Sequence, residues 1–446
     1  MVISKRRAIN SAILFTLFVG LGEGVASAEP VKPGAVVQAS LQVVCQAPTA
    51  SHFQQIFSRL PGSENSIQYL RNLDKAGWRA EIKVGADMLF IERTMPHRAV
   101  GNTVVRYEEG PDRRPRWMAI ASSTCLVKTV RRLDYDEYGV PSKLHYLDAN
   151  FQEVGVTVDL NPPIPPHPQQ KGIAVAVVDT GVNYLLPEIN ARLARDTAGQ
   201  VRGYDFWDLD QRPFDLNPIP SPFFPSHHGT KIASVIIQQS PEATVMPYRF
   251  PRSEMSRMGD LIAHASEHGA RIVNVSLASS ELEAWQGFRD AAAEYSELLF
   301  VVAAGNDAQD IDVSPIYPAA FGLENLVVVT ASTNRGYLAP YANWGVQSVD
   351  LIAPANKIQV MDFDGQRKWV GGSSYAAARV SGLAACLLSQ NPEMGVSELR
   401  KRLFGKARRV RGGRMVRYGF LPESQFNREG ACRSLRRPFM KADAKD

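Results

Sequence analysis

Four short segments carry side chains suited to a single reaction. Asp179 stands in Val177-Val178-Asp179-Thr180-Gly181 and His228 in His228-Gly229-Thr230. Asn306 stands in Ala303-Ala304-Gly305-Asn306 and Ser374 in Gly372-Ser373-Ser374-Tyr375-Ala376. A serine hydroxyl is a poor nucleophile until an adjacent base accepts its proton. An imidazole is such a base, and it needs a third group to fix its tautomer and stabilise the cation it becomes. A side-chain amide, or a free N–H at a helix start, then holds the oxyanion formed when the hydroxyl attacks a carbonyl. Each segment also has a plainer reading. Asp179 would cap a turn, Ser373 or Ser374 would cap a helix, and His227 competes with His228. Among the eight histidines only His228 precedes Gly-Thr at the opening of an apolar helix. His264 and His268 lie one helical turn apart, yet no third ligand accompanies them, so a helix face is the simpler reading. The order acid, base, amide, nucleophile favours the joint reading.

These groups need a scaffold that gathers them. From Gly172 onward, apolar runs alternate with helical stretches. The runs at 173–178, 244–248, 272–275, 298–303 and 326–331 read as buried parallel strands. Helices are expected at 229–239, 258–268, 281–295 and 374–389. This alternation predicts an α/β sandwich with a mostly parallel sheet, whose ligands sit beyond the carboxyl ends of the strands. Asp179 and Asn306 both follow such strands. Residues 29–160 form a smaller α+β unit, with a strand expected at 37–44 and helices at 51–60 and 66–76. β-Rich stretches follow, with turns at Gly110-Pro111 and Gly139-Val140-Pro141. This unit holds no nucleophile, ligand cluster or phosphate loop. Residues 161–171 are a proline-rich linker. Five prolines within 161–168 predict an extended spacer that no packed domain buries.

A chain of 446 residues fits two domains with appendages, and 45% apolar with 21% charged residues argues against disorder. The formal charge of +5 is concentrated in the last part, where 400–437 carries 13 Lys/Arg against two Glu. Residues 424–446 form a basic tail, and without interleaved aromatics nucleic acid is not an expected partner. Residues 1–28 read as a signal peptide: Lys5, Arg6 and Arg7, an apolar run over 12–21, then Ala26-Ser27-Ala28. Removal at Ala28 gives an exported protein, periplasmic or secreted, with no transmembrane segment. An oxidising compartment permits two disulfides among Cys45, Cys125, Cys386 and Cys432. Cys45 with Cys125 would staple the N-terminal region, whereas Cys386 is equally read as a buried free thiol. No cysteine spacing suggests zinc.

Residues 172–423 resemble the catalytic domain of a subtilisin-like serine peptidase, a subtilase. The resemblance rests on the four segments above, on Gly203-Tyr204-Asp205-Phe206-Trp207-Asp208, on Tyr317-Pro318-Ala319, and on Asp350-Leu351-Ile352-Ala353-Pro354. It implies a three-layer sandwich and a serine-type endopeptidase acting on proteins or peptides through an acyl-enzyme. Ser374 would attack, His228 would relay the proton, Asp179 would orient His228, and Asn306 would hold the oxyanion. It also implies a substrate cleft bordered by Ser276, Leu277, Ala278, Ala304 and Gly305. Ile316 would narrow the pocket before the cleaved bond, and Asp307, Asp310 and Asp312 would favour a basic side chain there. No cofactor is needed for catalysis. Asp205, Asp208, Asp210 and Asp215 suggest either structural calcium, which many subtilases bind, or a solvated acidic loop. The sequence departs from the family at Ala278, Lys231, Ser234, Ser373, Tyr375 and Ala378. An alternative is therefore a catalytically inactive subtilase fold that binds peptides or partners. Residues 29–160 would be a pro-segment or a retained accessory domain. An aspartic peptidase is disfavoured because no second Asp-Thr/Ser-Gly occurs, and Ala376 stands where a nucleophile elbow has glycine. The oligomeric state stays open.

Overall fold

The computed structural model describes residues 32–47, 49–57, 67–72, 77–94, 101–251, 253–410, 413 and 415–426. The signal-peptide reading, Cys432 and the tail beyond 426 lie outside the described residues. The chain divides into two compact units, Met1–Asn161 with Pro218–Phe224, and Pro162–Asn217 with Pro225–Asp446.

In the first unit, helices α1 (Pro33–Gln46) and α2 (Ala50–Phe57) precede eight strands. These are β1 (Ile67–Asn72), β2 (Gly77–Val84), β3 (Asp87–Thr94), β4 (Thr103–Glu109), β5 (Arg114–Ala121), β6 (Val127–Tyr135), β7 (Pro141–Leu147) and β8 (Glu153–Asp159). They form an antiparallel meander in chain order. The expected strand at 37–44 is instead the body of α1. Its buried pairs Val36-Val37 and Val43-Val44 recur one heptad apart, a helical stripe, and Pro33 opens the first turn. The expected helix at 66–76 is instead β1, held by pairing with β2 from Ile67 to Asn72. That pairing is a tertiary interaction, which overrides local periodicity. The core under α1 includes Trp78, Ile82, Leu89, Val105 and Ala119, with the Phe53 and Trp78 rings 4.8 Å apart. Cys45 at the end of α1 is bonded to Cys125 in the turn between β5 and β6, closing a loop of 80 residues.

The second unit is built on strands β9 (Ile173–Asp179), β10 (Tyr204–Asp205), β11 (Ala243–Arg249), β12 (Ile272–Val275), β13 (Leu299–Ala303), β14 (Leu326–Ser332) and β15 (Leu351–Pro354). A hairpin of β16 (Ile358–Met361) and β17 (Arg367–Val370) follows, and β18 (Gly419–Phe420) completes the sheet. The sheet order is β10-β11-β9-β12-β13-β14-β15-β18, and every described pairing is parallel. Its longer helices are α3 (Gly229–Gln239), α4 (Met258–Glu267), α5 (Gln286–Glu294), α6 (Ser373–Gln390) and α7 (Val396–Gly405). Alternation along β9 makes the layers: Val175 and Val177 join the core with α3 and α6, while Ala174, Ala176 and Val178 join the core with α4 and α5. Both faces are covered, which is why the central strands read as unbroken apolar runs. Each fully buried Val contributes about 1.5–3 kcal/mol relative to exposure.

The proline segment does not behave as a free spacer. Pro162 is buried, and the buried Tyr184 hydroxyl donates to its carbonyl at 2.6 Å. Arg195 donates to the Pro165 carbonyl at 3.0 Å, and Ile164 packs on the core. An extended proline run leaves its carbonyls unpaired, and here buried donors take them. Cys386 is disulfide-bonded, so the free-thiol reading falls. No helix among the described residues is long and apolar enough to cross a membrane.

The loop closed by Cys45 and Cys125 leads to a stability prediction. Replacing both by Ala removes roughly 2–5 kcal/mol from the first unit. Thermal unfolding of that variant beside the parent checks this, and unchanged melting of the first unit contradicts it.

Candidate active site

β9 ends on Asp179, which is 1% exposed. Its carboxylate accepts the Thr180 N–H at 2.8 Å, so the turn after the strand fixes its orientation. His228 stands immediately before α3, and its Nδ1 lies 2.8 and 2.9 Å from the two carboxylate oxygens. A carboxylate only accepts, so Nδ1 carries the proton and Nε2 of the neutral ring is left as an acceptor. The approach of the two segments needs glycine at 229. A Cβ there would lie 2.0 Å from the Gly181 carbonyl oxygen and 3.2 Å from Asp179 Cβ. Burial disfavours the charged imidazolium, but the charge and hydrogen bond of Asp179, together with the charge of Asp215, outweigh it, and the His228 pKa is raised overall.

The start of α6 carries the serine pair. The helix opens at Ser373 with Gly372 in the cap position and no side-chain cap, so neither serine does the N-cap work that each could have done. Ser373 is buried, and its Oγ accepts the Gly305 N–H at 3.1 Å. Its own N–H donates to Asn306 Oδ1 at 2.8 Å. With Oδ1 engaged, Asn306 presents its NH2 beside Gly372, where a Cβ would lie 3.7 Å from Nδ2. Ser374 is half-buried, and its hydroxyl makes no hydrogen bond among the described residues, to His228 included. The neighbouring Tyr375 ring lies 5.7 Å from the His228 ring, which sets that imidazole beside the start of α6.

The loop carrying Asn306 is held by Asn343, which sequence reasoning missed. Asn343 is fully buried; its Nδ2 donates to the Ala304 carbonyl at 2.9 Å and its Oδ1 accepts the Asp307 N–H at 2.8 Å. Gly305 has φ +97, and a Cβ there would lie 2.4 Å from Asn343 Nδ2. Ser276 and Leu277 are buried after β12, Ala278 is exposed, and Ile316 is half-buried against the core. Backbone bonds between Ser279 and Tyr317, at 2.8 and 3.1 Å, join the loops that contain Ala278 and Ile316. All three aspartates expected near a pocket have partners in the surrounding loops, Asp307 accepting from Asn343 Nδ2 at 3.4 Å. Asp310 accepts the Asp312 N–H at 3.0 Å, and Asp312 accepts those of Gln347 and Ser348 at 2.9 and 2.8 Å. Asp307 alone is exposed.

Several departures from the family pattern have local partners. Lys231 Nζ donates to the His227 carbonyl at 2.5 Å and lies 3.3 Å from Asp362 Oδ1. Ser234 Oγ accepts the Met361 N–H at 3.1 Å, tying α3 to β16. The acidic loop is paired with arginines. Asp205 and Asp208 both face the buried Arg249, the former at 2.9 Å, and Asp210 pairs with Arg212 at 2.9 Å. Burial pushes Asp205 up to about 7 despite Arg249. Asp215 lies elsewhere, beneath His228.

The raised pKa of His228 is measurable. An NMR titration is expected to place its imidazole above the ordinary 6.5, and Asp179→Asn is expected to lower the midpoint because the charge and hydrogen bond of Asp179 are lost. The stabilisation from charged His228 is complete below 6.5 and is lost as pH rises through the raised value. An Asp179→Asn midpoint equal to that of the parent contradicts the assignment.

A subtilase family model (peptidase family S8) matches residues 170–420. The thermophilic serine proteinase of Bacillus sp. (strain AK1) is 29% identical over 56% of this chain and 60% of its own length. The alkaline serine exoprotease A of Vibrio alginolyticus is 28% identical over 53% of this chain and 42% of its own. Halolysin of Haloferax mediterranei is 28% identical over 52% of this chain and 44% of its own. The matches thus span about half the length of these relatives. With the family match covering more than half of its residues, over the unit that holds the parallel sheet, this chain belongs to the subtilase family.

Proposed function

We propose that the chain is an exported serine endopeptidase that hydrolyses peptide bonds through an acyl-enzyme. The observation that carries this reading is the bond from His228 Nδ1 to the buried Asp179 carboxylate, which leaves Nε2 as the ring's acceptor. In the proposed reaction Ser374 Oγ attacks the scissile carbonyl carbon while its proton passes to His228 Nε2. The imidazolium is stabilised by Asp179 and then protonates the departing amine as the C–N bond breaks. Water repeats the sequence on the acyl-enzyme and frees Ser374. Asn306 Nδ2 and the Ser374 N–H, at the start of α6, receive the oxyanion. The hydroxyl–imidazole hydrogen bond forms when substrate binds, as is common where a resting active site is loose. The substrate is an extended peptide pairing by its backbone along Ser276, Leu277 and Ala278 on one side and Ala304 and Gly305 on the other.

Export is supported by the basic-apolar-small pattern of residues 1–28 and by the Cys45–Cys125 disulfide, which suits an oxidising compartment. Among the relatives, one from Natrialba magadii is named a halolysin-like extracellular serine protease. N-terminal sequencing of an active preparation decides between a removed pro-segment and a retained accessory unit. A start at Glu29 identifies a retained unit.

The chemistry is tested with a fluorophosphonate probe and a peptide substrate. The parent chain is labelled and cleaves peptides, and Ser374→Ala loses both. Asn306→Ala lowers kcat by roughly 10²–10³-fold, the loss measured for such a donor in subtilisin. A parent that is neither labelled nor active, after export and any processing, favours the inactive peptide-binding alternative.

A further inference from the structure

Asp215 makes contacts that no member of the proposed acid, base and nucleophile set requires, and they converge on two of the segments carrying that set. It is fully buried. Its Oδ1 accepts the Thr180 hydroxyl at 2.5 Å and the His228 backbone N–H at 3.1 Å. Its Oδ2 accepts the Thr230 N–H at 2.8 Å and the Thr230 hydroxyl at 2.5 Å. Thr180 Oγ1 in turn accepts the N–H groups of His228 and Gly229 at 3.0 and 2.9 Å. Thr230 Oγ1 accepts the Asn183 N–H at 2.8 Å. One carboxylate therefore joins the turn after β9 to the first turn of α3.

The start of α3 needs such a partner. His228 occupies its cap position without capping it, because the imidazole is turned to Asp179. The free N–H groups and positive end of a helix favour an acceptor with negative charge. Burial pushes the Asp215 carboxyl upward. Against that, the N–H groups of His228 and Thr230 can only donate. The two backbone N–H contacts, which can only be met by an acceptor, favour the carboxylate.

On the acyl-transfer reading above, we propose that Asp215 is a positioning residue: it fixes the backbone of His228 and adds a second negative charge behind the imidazolium. The groups facing His228 are Asp179 from β9, Asp215, Lys231 on α3, which opposes them, and the Tyr375 ring from α6.

Asp215→Asn keeps the size but turns two N–H donors toward donors and removes the charge. Its kcat falls by roughly 10- to 100-fold, as for a displaced catalytic group, with KM nearly unchanged. The acid limb of its kcat/KM profile moves to lower pH. In a Ser374→Ala background, where no activity is needed, the NMR titration midpoint of His228 moves down on the same substitution. If Asp215→Asn does not fold, Thr180→Val, which removes the hydroxyl shared by Asp215 and His228, shows a smaller shift of the same sign. An unmoved His228 midpoint and acid limb, with loss confined to melting temperature, overturns the proposal. Full activity in Ser374→Ala instead overturns the acyl-transfer reading, and leaves the His228 shift as a separate result.

Discussion

The bond between Asp179 and His228 is the contact on which the rest of the site depends. A carboxylate that is 1% exposed is costly unless hydrogen bonds replace its water. Here the Thr180 N–H and the His228 ring supply them. The same bond selects the imidazole tautomer, and so decides which ring nitrogen is free to take a proton. The sheet makes this bond available. β9 is the strand from which β11 and β12 extend on either side, and its carboxyl end presents Asp179 where α3 begins. Strand and helix can come this close only because residue 229 has no Cβ.

The second half of the site is organised by backbone capture, with few contacts between side chains. Asn306 takes the Ser373 N–H, Ser373 takes the Gly305 N–H, and Asn343 holds the loop from below. The start of α6 and the end of β13 are thereby locked together, and among the described residues the Asn306 NH2 and the Ser374 hydroxyl are left without partners. On the proposed reading, a fixed donor beside an uncommitted hydroxyl is an arrangement that stabilises charge as it develops, with little reorganisation during reaction. Deeper in the same layer, Ser381 of α6 donates to the buried Asn274 of β12 at 3.0 Å. The helix bearing Ser374 is thus also pinned to the strand leading into Ser276.

The second unit was legible in the sequence because its strands are buried on both faces and its helices alternate with them. The runs at 173–178, 272–275 and 326–331, and the helix at 229–239, follow from composition alone. The first unit was less legible. α1 is rich in valine, and β1 exists through its pairing with β2, so local propensity pointed the wrong way in both. The proline segment was misread because its anchors, Tyr184 and Arg195, lie far along the chain. Asp215 and Asn343 carried no spacing signal, since their partners meet them only in the folded chain. Asp215 stands 13 residues before His228 and looked like one more acid in a loop.

The central claim is that a buried carboxylate holds His228 as the Nδ1–H tautomer, with Nε2 facing the proton to be moved. The direct measurement is nitrogen NMR of histidine-labelled protein at a pH above the His228 midpoint. A protonated, hydrogen-bonded Nδ1 and an unprotonated Nε2 are predicted for His228. A ring protonated at Nε2, or one exchanging between the two forms, contradicts the account.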